Sequence, residues 1–554
     1  MIADLRNGKI FLPTNNDTYV IKDQISAIPT ARWNAGARAW TYEPSPFVLM
    51  ELSRIGVDAD STLTDLSKKV VLAREAKLVK TSGSLPAIPK TKLSPWHHQL
   101  VGYHFADKLD ASGLFLDMGC GKTKVAIDLI TNSQVNAVLI MCPKYVVDNW
   151  QLEFGKHAVT PFAVFAGTTG STAKRLELAT KQLAISKASR TPFVMVVNYD
   201  AIIRANIADF IKSTLWDYLI LDEGHRLKAP GSKRSMSVYK DIRPLCGKAI
   251  ALTGTPMPRD RLDAYGLYRA LDKGIFGSSF VKFRTKYADV DEYGRPRLWK
   301  NETEFLERFF SIAYRVEADE VLDLPDATEI DIRFMLGARE RRIYDEMEED
   351  LIAEYVGGKV TAANGAVKTG KVRQIANGFI SDDGNVIDLG DSKIQALAGL
   401  LQDIGELEPF VVFCVYHADM NKVERLLTKL KITYSEVSGR AKDAELEEWK
   451  NGQTTALVAQ IDSIKEGVDC TRSHYGIFYS RQYTPGAMQQ AHRRLNRPGQ
   501  TKPVTYYNLV AVNTVDVAIG RVLKSRQKDT NFVLGSDKNE VAELMENIIH
   551  DRGL

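Results

Sequence analysis

Five short runs of aliphatic and β-branched residues recur between residues 113 and 252, and helix-compatible spacers separate them. They are Gly113–Leu116, Ala137–Met141, Phe193–Val197, Tyr218–Leu221 and Ala249–Leu252. Strands written as unbroken apolar runs, without alternation, are buried on both faces, and the helices between them supply the cover. The pattern predicts a parallel α/β sheet. A second series follows a mostly helical stretch, at Phe410–Val415, Ala456–Ala459, Gly476–Tyr479 and Val504–Leu509, and predicts a second α/β lobe.

With 554 residues the chain exceeds one core, and roughly three to four domains are expected. The spacing divides it into a small α+β unit over 1–65, a basic helix and linker over 66–92, and a first lobe over 93–260. A helical insertion over 261–380, a second lobe over 381–525 and a helical tail over 526–554 complete the expected order. In the first unit Lys9–Leu12 and Thr18–Ile21 read as strands, Arg38–Tyr42 as another, and Phe47–Leu52 as a helix. In the insertion, Ile343, Met347 and Leu351 recur every four residues and share a helix face.

Composition excludes little but usefully. Hydrophobic content of 44% and charged content of 26% suit a globular protein, and no apolar run approaches the roughly 18 residues needed to span a bilayer. Nothing in Met1–Arg6 resembles a secretion signal, so a cytoplasmic setting is expected, with no membrane partner. The five cysteines are scattered without metal-like spacing and read as buried free thiols. A net charge of only +4 means that any nucleic-acid site must concentrate its basic residues locally.

Chemistry gathers in three places. Gly119-Cys120-Gly121-Lys122-Thr123 follows the first run and opens a helical stretch, the context in which backbone N–H groups cradle phosphates. Lys122 would reach the β- and γ-phosphates and Thr123 would hold Mg2+. The first glycine of the usual spacing is replaced by Leu116. Asp222-Glu223-Gly224-His225 stands at the carboxyl end of the fourth run, where open parallel sheets collect ligands. Asp222 would bind the metal and Glu223 would orient and deprotonate water, while His225 could link to the Thr253–Pro256 loop. An acidic pair after a strand, taken alone, is also a solvated helix cap. Far downstream, Arg494 and Arg497 sit three residues apart within Gln490–Gln500, a spacing that puts them on one helix face. Arginine's fixed fork of donors suits developing phosphate charge. A basic solvated helix explains the same two residues when they are taken alone.

Together these motifs resemble the Swi/Snf type of superfamily-two ATPase. The resemblance covers roughly residues 93 to 525. It extends to Cys142-Pro143-Lys144 with Asn149-Trp150, Leu252 to Pro256, Arg373-Gln374-Ile375 and Leu271 to Gly277 with Phe283-Arg284. It implies two RecA-like lobes, ATP as cofactor with Mg2+, and DNA across both lobes. It also implies Gln99 at the adenine with Trp96 or His97 beside it, and Lys144 and Trp150 near the DNA backbone. The second-lobe loop usually written Gly-Leu-Asn-Leu stands here as Gly467-Val468-Asp469-Cys470, and an aspartate common after the next strand is replaced near Ser480.

The first unit is similar to the HARP-like module of annealing helicases through Ile28–Asn34 and Arg38–Tyr42. Arg32, Trp33, Arg38 and Trp40 there offer charge and stacking surfaces for unpaired or forked DNA. The other reading makes both tryptophans core of a tiny domain. The resulting expectation is a monomeric ATP-driven motor on double-stranded or forked DNA, in a bacterium or phage-infected host. The alternative is a motor that displaces a bound protein such as RNA polymerase or a nucleosome. A third reading, a scaffold with a decayed ATP site, predicts nucleotide binding without turnover.

Overall fold

In a computed structural model of the chain, residues 1–531 are described apart from 83–84, 168–171, 259, 292–295, 323, 357–361, 383–384, 405–407, 441–442, 465–467 and 484. The chain forms two compact units, Met1–Val321 and Leu322–Leu554.

The first unit begins with a small antiparallel sheet in the order Arg32–Asn34, Ala39–Tyr42, Lys9–Pro13, Ile2–Arg6, with Asp58–Ala59 added in parallel at the far edge. Ser45 caps the helix Pro46–Arg54, and Pro46 occupies its first turn, where the missing N–H costs nothing. Val48, Leu49 and Leu52 of that helix pack on Ile10, Leu12 and Tyr42. The expected strand at 18–21 is instead the helix Asn16–Val20. Asn15 accepts from Thr18 N–H and Thr18 closes the reciprocal bond, and that capping box overrides the β-branched run.

This module is tied to the rest of the unit. Ser45 Oγ donates to Asp272 Oδ2 at 2.7 Å, Lys273 pairs with Glu43 at 2.9 Å, and Arg308 reaches Glu51. Lys80, just past the helix Thr64–Val79, donates to the carbonyls of Phe310 and Ala313 at 2.8 and 2.5 Å.

The large sheet of this unit has seven parallel strands in the order Ala313–Val316, Ala111–Leu116, Cys246–Leu252, Trp216–Asp222, Ala137–Cys142, Phe193–Asn198 and Ala163–Ala166. The second unit carries six parallel strands, Ala327–Phe334, Val504–Ala511, Tyr475–Phe478, Phe410–Cys414, Ala456–Gln460 and Tyr434–Val437. All nine interior strands match the apolar runs of the sequence. The four edge strands do not, because one side of an edge ladder is unpaired and short or polar sequences serve there.

Those edges also move the domain boundaries. Ala313–Val316 and Ala327–Phe334 fall inside the expected helical insertion, yet one completes the first sheet and the other the second. The stretch therefore divides at Val321 between the two units. Its helix Ala338–Val356 does direct Ile343 and Met347 onto the second unit's core, whereas the Leu351 side chain lies outside the described residues. All five cysteines are free and buried. The expected tail is described only through the helix Val515–Asn531.

Two glycines set how closely the helix Ala264–Leu271 approaches the turn Gly224–Leu227 that follows the acidic pair. A Cβ on Gly266 would lie 2.0 Å from the Leu227 carbonyl oxygen, and one on Gly224 would lie 2.9 Å from Leu267. Alanine gains about 1 kcal/mol of helix propensity over glycine. Forced contact with backbone costs about 1–3 kcal/mol or more. Gly266→Ala is therefore expected to lower stability in urea denaturation, and an unchanged or raised midpoint would show that the helix can withdraw freely.

Candidate functional site

The strand Ala111–Leu116 delivers the chain to the phosphate loop. Asp117 N–H bonds the Val316 carbonyl of the neighbouring edge strand at 2.9 Å, and Asp117 Oδ1 accepts from Met118 N–H at 2.7 Å. Gly119 (φ +84°) and Gly121 (φ +82°) take the left-handed conformation that lets the loop reverse, and Gly121 starts the helix Lys122–Asn132. Lys122 Nζ donates back to the carbonyls of Leu116 and Asp117 at 3.0 and 3.3 Å. Thr123 is half-buried in the first helical turn beside it.

A second helix clamps the loop from outside. At the start of His97–Asp107, His98 Nε2 and Gln99 Nε2 both reach the Cys120 carbonyl, at 2.9 and 3.1 Å. Gln99 Oε1 accepts from Trp96 N–H at 3.0 Å, so the carboxamide expected at the adenine is largely committed to the loop. Trp96 is exposed beside it. His98 was not anticipated, although its place next to Gln99 was the available signal. Burial lowers its pKa, keeping the ring neutral.

Asp222 and Glu223 lie at the carboxyl end of the strand Trp216–Asp222, two strands from the phosphate loop. Trp150 Nε1 donates to Asp222 Oδ2 at 3.0 Å, and the Tyr199 hydroxyl donates to the Asp222 carbonyl at 2.9 Å. Trp150 was expected at the DNA backbone. Its indole is 1% exposed, so in this arrangement it orients Asp222 and presents no surface to a ligand. Lys144, at the start of the turn after Ala137–Cys142, is exposed. Tyr199 was missed; its only signal was its place at the same sheet edge.

Glu223 has φ +50°, a conformation other residue types than glycine rarely hold. Its carboxylate is fixed by neighbours. His225 Nδ1 lies 3.2 Å from Glu223 Oε2 and 3.0 Å from Thr253 Oγ1, and Thr253 Oγ1 donates to Glu223 Oε2 at 3.2 Å. Thr255 N–H in turn bonds Thr253 Oγ1 at 3.1 Å, so the link from His225 to the Thr253–Pro256 loop exists as geometry. The two carboxyl groups diverge electrostatically. Burial and the adjacent Glu223 charge push Asp222 up. Burial also pushes Glu223 up, but the hydrogen bond and charge of His225, with Lys122 and Thr253, outweigh it and hold Glu223 well down.

In the second unit the helix Pro485–Leu495 carries Arg494, which is 4% exposed, donates to the Val468 carbonyl at 3.4 Å and accepts Cys470 N–H on its own carbonyl. The helix stops before Arg497. Residues preceding proline avoid the helical region, and Arg497 precedes Pro498, so the two arginines do not share a helix face. Arg497 Nε is buried without a hydrogen-bond partner among the described residues. Gln500 knits the turn together, donating to the Ser473 carbonyl at 2.7 Å and accepting from Thr501 and Lys502 N–H. Asp469 caps its own loop, accepting from the N–H and hydroxyl of Thr471, whereas Gly467 lies outside the described residues.

In the small module Trp33 is 49% exposed on the edge strand, 5.5 Å from Trp40, whose ring packs partly on the core. Arg32 and Arg38 are exposed beside them. The two tryptophans thus divide the two readings between them.

Residues 63–382 match the model of the SNF2-related domain, and residues 392–499 match the helicase conserved C-terminal domain. The chain belongs to the SNF2-related family. It is a helicase-like ATPase of that family with two RecA-like lobes. Among its relatives, "Putative protein p41" of Acyrthosiphon pisum secondary endosymbiont phage 1 is 26% identical over 80% of this chain and 98% of its own length. "Putative ATP-dependent helicase/translocase YwqA" of Bacillus subtilis is 24% identical over 87% of this chain. The yeast "DNA repair and recombination protein RDH54" is 24% identical over 74%. The chain spans about half the length of these last two. The SWI2/SNF2 ATPase core of Sulfolobus solfataricus, solved in complex with dsDNA, aligns with a TM-score of 0.39 at 20% identity, over 84% of this chain and 97% of that one. No described helix is long and apolar enough to cross a membrane.

Two outcomes are expected of this SNF2-related site. Gly121→Ala would need a left-handed alanine with its Cβ 2.3 Å from Gln99 Nε2, and should abolish nucleotide binding in a fluorescent-nucleotide titration while the protein stays folded. Asp222→Asn should raise stability at pH 7–8 by on the order of 1–2 kcal/mol. The sign follows from the raised Asp222 pKa: the native state resists ionisation, so the penalty applies at high pH and fades as pH falls toward the ordinary carboxylate range. A loss of stability at pH 8 in thermal unfolding would contradict it.

Proposed function

We propose that the chain is an ATP-driven translocase on double-stranded DNA that remodels forked or branched DNA by annealing or fork reversal, in replication, recombination or repair. The observation that carries the motor is the constellation Lys122, Asp222, Glu223, His225 and Thr253 at one edge of the first sheet. In this reading the loop from Gly119 to Thr123 cradles the triphosphate, with Lys122 turning from its two loop carbonyls to the phosphates. The hydroxyl of Thr123 and the carboxylate of Asp222 are hard oxygen donors that fit Mg2+, which when bound would neutralise phosphate charge. Glu223, held ionised by His225 and Thr253, accepts the proton of the attacking water. Trp150 keeps Asp222 in place. Gln99 positions the loop and keeps one amide hydrogen for a base. Arg494 and Arg497 contact the phosphates from the second lobe, and Lys144 contacts the DNA backbone.

The preference for forked DNA rests on the small module, where exposed Trp33 with Arg32 and Arg38 offers a stacking and charge surface of the HARP-like kind. Because that module is bonded into the rest of the first unit through Ser45 to Asp272 and Glu43 to Lys273, point variants test it more cleanly than deletion.

The decisive measurement is the ATPase rate without DNA and with single-stranded, duplex and forked DNA. Lys122→Ala should abolish turnover. Arg497→Ala should retain ATP binding and lose about 10³–10⁵ in rate, and normal hydrolysis would remove it from the transition state. Trp33→Ala should leave duplex stimulation intact and weaken fork binding by about 1–3 kcal/mol, and equal fork preference in that variant would refute the module's role.

A further inference from the structure

A cavity of about 1440 Å³ lies between the small module, the helix Thr64–Val79 and the edge-strand region at residues 310–315. None of the nucleotide-site residues lines it, and it exceeds the ~300–1,000 Å³ of ordinary small-molecule pockets. Its wall holds eleven lysines and arginines against five aspartates and glutamates, a surplus larger than the net charge of +4 on the whole chain. The rest of the chain is therefore slightly net acidic, and the chain's basic surplus lies in this wall. That is the local concentration a nearly neutral chain needs to hold a polyanion.

Several of these cations are neutralised internally, as in Lys69 with Asp110 and Lys273 with Glu43. Four are not. Arg74 and Lys77 are exposed, one helical turn apart, and have no carboxylate partner among the described residues. Lys80 and Arg243 are held by backbone carbonyls, Lys80 by Phe310 and Ala313 with its ammonium 4.4 Å from the centre of the Phe105 ring, and Arg243 by Leu271 and Cys246. Burial and then the charge of Lys77 push the Lys80 ammonium down to about 8. Like charges one turn apart weaken a helix, so the fold gains nothing from Arg74 and Lys77 together. The half-buried rings of Tyr239 and Tyr314 line the same wall. Cations that track phosphates beside rings that take bases are the requirements of an unpaired strand. A duplex offers phosphates but keeps its bases stacked inside.

We propose that this cavity is a cleft for a single nucleic-acid strand, with Arg74, Lys77, Lys80 and Arg243 on its phosphates and Tyr239 and Tyr314 against its bases. This goes beyond the fork-binding tryptophans and rests on the reading of DNA as substrate. It gives the displaced strand of a fork a place on the first unit.

The test uses the full chain with a fluorescent oligothymidylate of roughly 20 nucleotides and a duplex of equal length, followed by anisotropy across salt concentrations. Arg74→Glu/Lys77→Glu should weaken oligothymidylate binding at least tenfold and flatten its log–log salt slope by about 1.4, two contacts' worth. Duplex affinity should move less than twofold. The charge-keeping exchange Arg74→Lys/Lys77→Arg should retain strand binding, and matching unfolding midpoints exclude a folding defect. The cleft is overturned if the charge-reversed protein binds oligothymidylate as wild type, or loses the duplex equally. Duplex-stimulated ATPase alongside such a result would leave the motor standing, whereas wild type that binds neither DNA and is unstimulated by either would overturn both.

Discussion

Everything at the candidate site follows from burying a carboxylate at the end of a strand covered on both faces. Asp222 closes the Trp216–Asp222 strand and is 8% exposed. A buried charge without partners costs several kcal/mol, so the surrounding strands must bring hydrogen-bond donors to it. They do so in the order the sheet sets. The strand on one side, Ala137–Cys142, leads into the helix whose Trp150 donates to Asp222; the strand on the other, Cys246–Leu252, leads to Thr253, which donates to the adjacent Glu223. One strand further on, Ala111–Leu116 leads to Lys122. Parallel strands end on one edge, so four neighbouring strands deposit an ammonium, a hydroxyl, two carboxylates and an indole at that edge. The chemistry is a consequence of strand order.

The same physics explains what could be read from the chain in advance. Interior strands must be apolar on both faces, which leaves an unbroken run such as Val138-Leu139-Ile140-Met141 that turn signals bracket. Edge strands face no such demand. Glu329, Asp331 and Arg333 fit within Ala327–Phe334 because that strand has a single neighbour, and its exposed alternation looks like a linker. The phosphate loop and acidic pair were legible because their chemistry fixes residue types at fixed spacing. The supporting groups were not. His98 and Tyr199 act through positions that only the folded sheet brings together, and Trp150 was assigned outward because its burial cannot be inferred from a motif. Arg497 was placed on a helix that Pro498 ends.

The small N-terminal module was read as a separate domain, and its own core of Ile10, Leu12, Tyr42 and Leu52 justifies that view. Its boundary is nonetheless a bonded one. Burial pushes the Asp272 carboxyl up, yet it accepts from Ser45 Oγ and Gly274 N–H, so a side chain of the module completes a polar group of the first lobe. Removing the module would leave that group without its Ser45 donor. The module and the first lobe belong to one compact unit, Met1–Val321.

Asp222 and Glu223 differ by a single position, yet their surroundings separate their tasks. Glu223 is held in a left-handed turn by His225 and Thr253, and the same contacts keep it ionised over the working pH range. Asp222 receives one indole hydrogen bond and pays a burial penalty that a cation would remove. A group that is stable as an anion without a ligand suits a proton acceptor, and a group destabilised as an anion until a positive charge arrives suits a ligand site. Titratable neighbours driven apart in this way are how one environment assigns a base and an electrostatic partner to two similar side chains. The assignment needs both the unusual Glu223 backbone and the Thr253 hydroxyl from the next strand. Thr253→Val, which keeps the shape of the side chain and deletes its donor, therefore bears on Glu223 first and on Asp222 only through it.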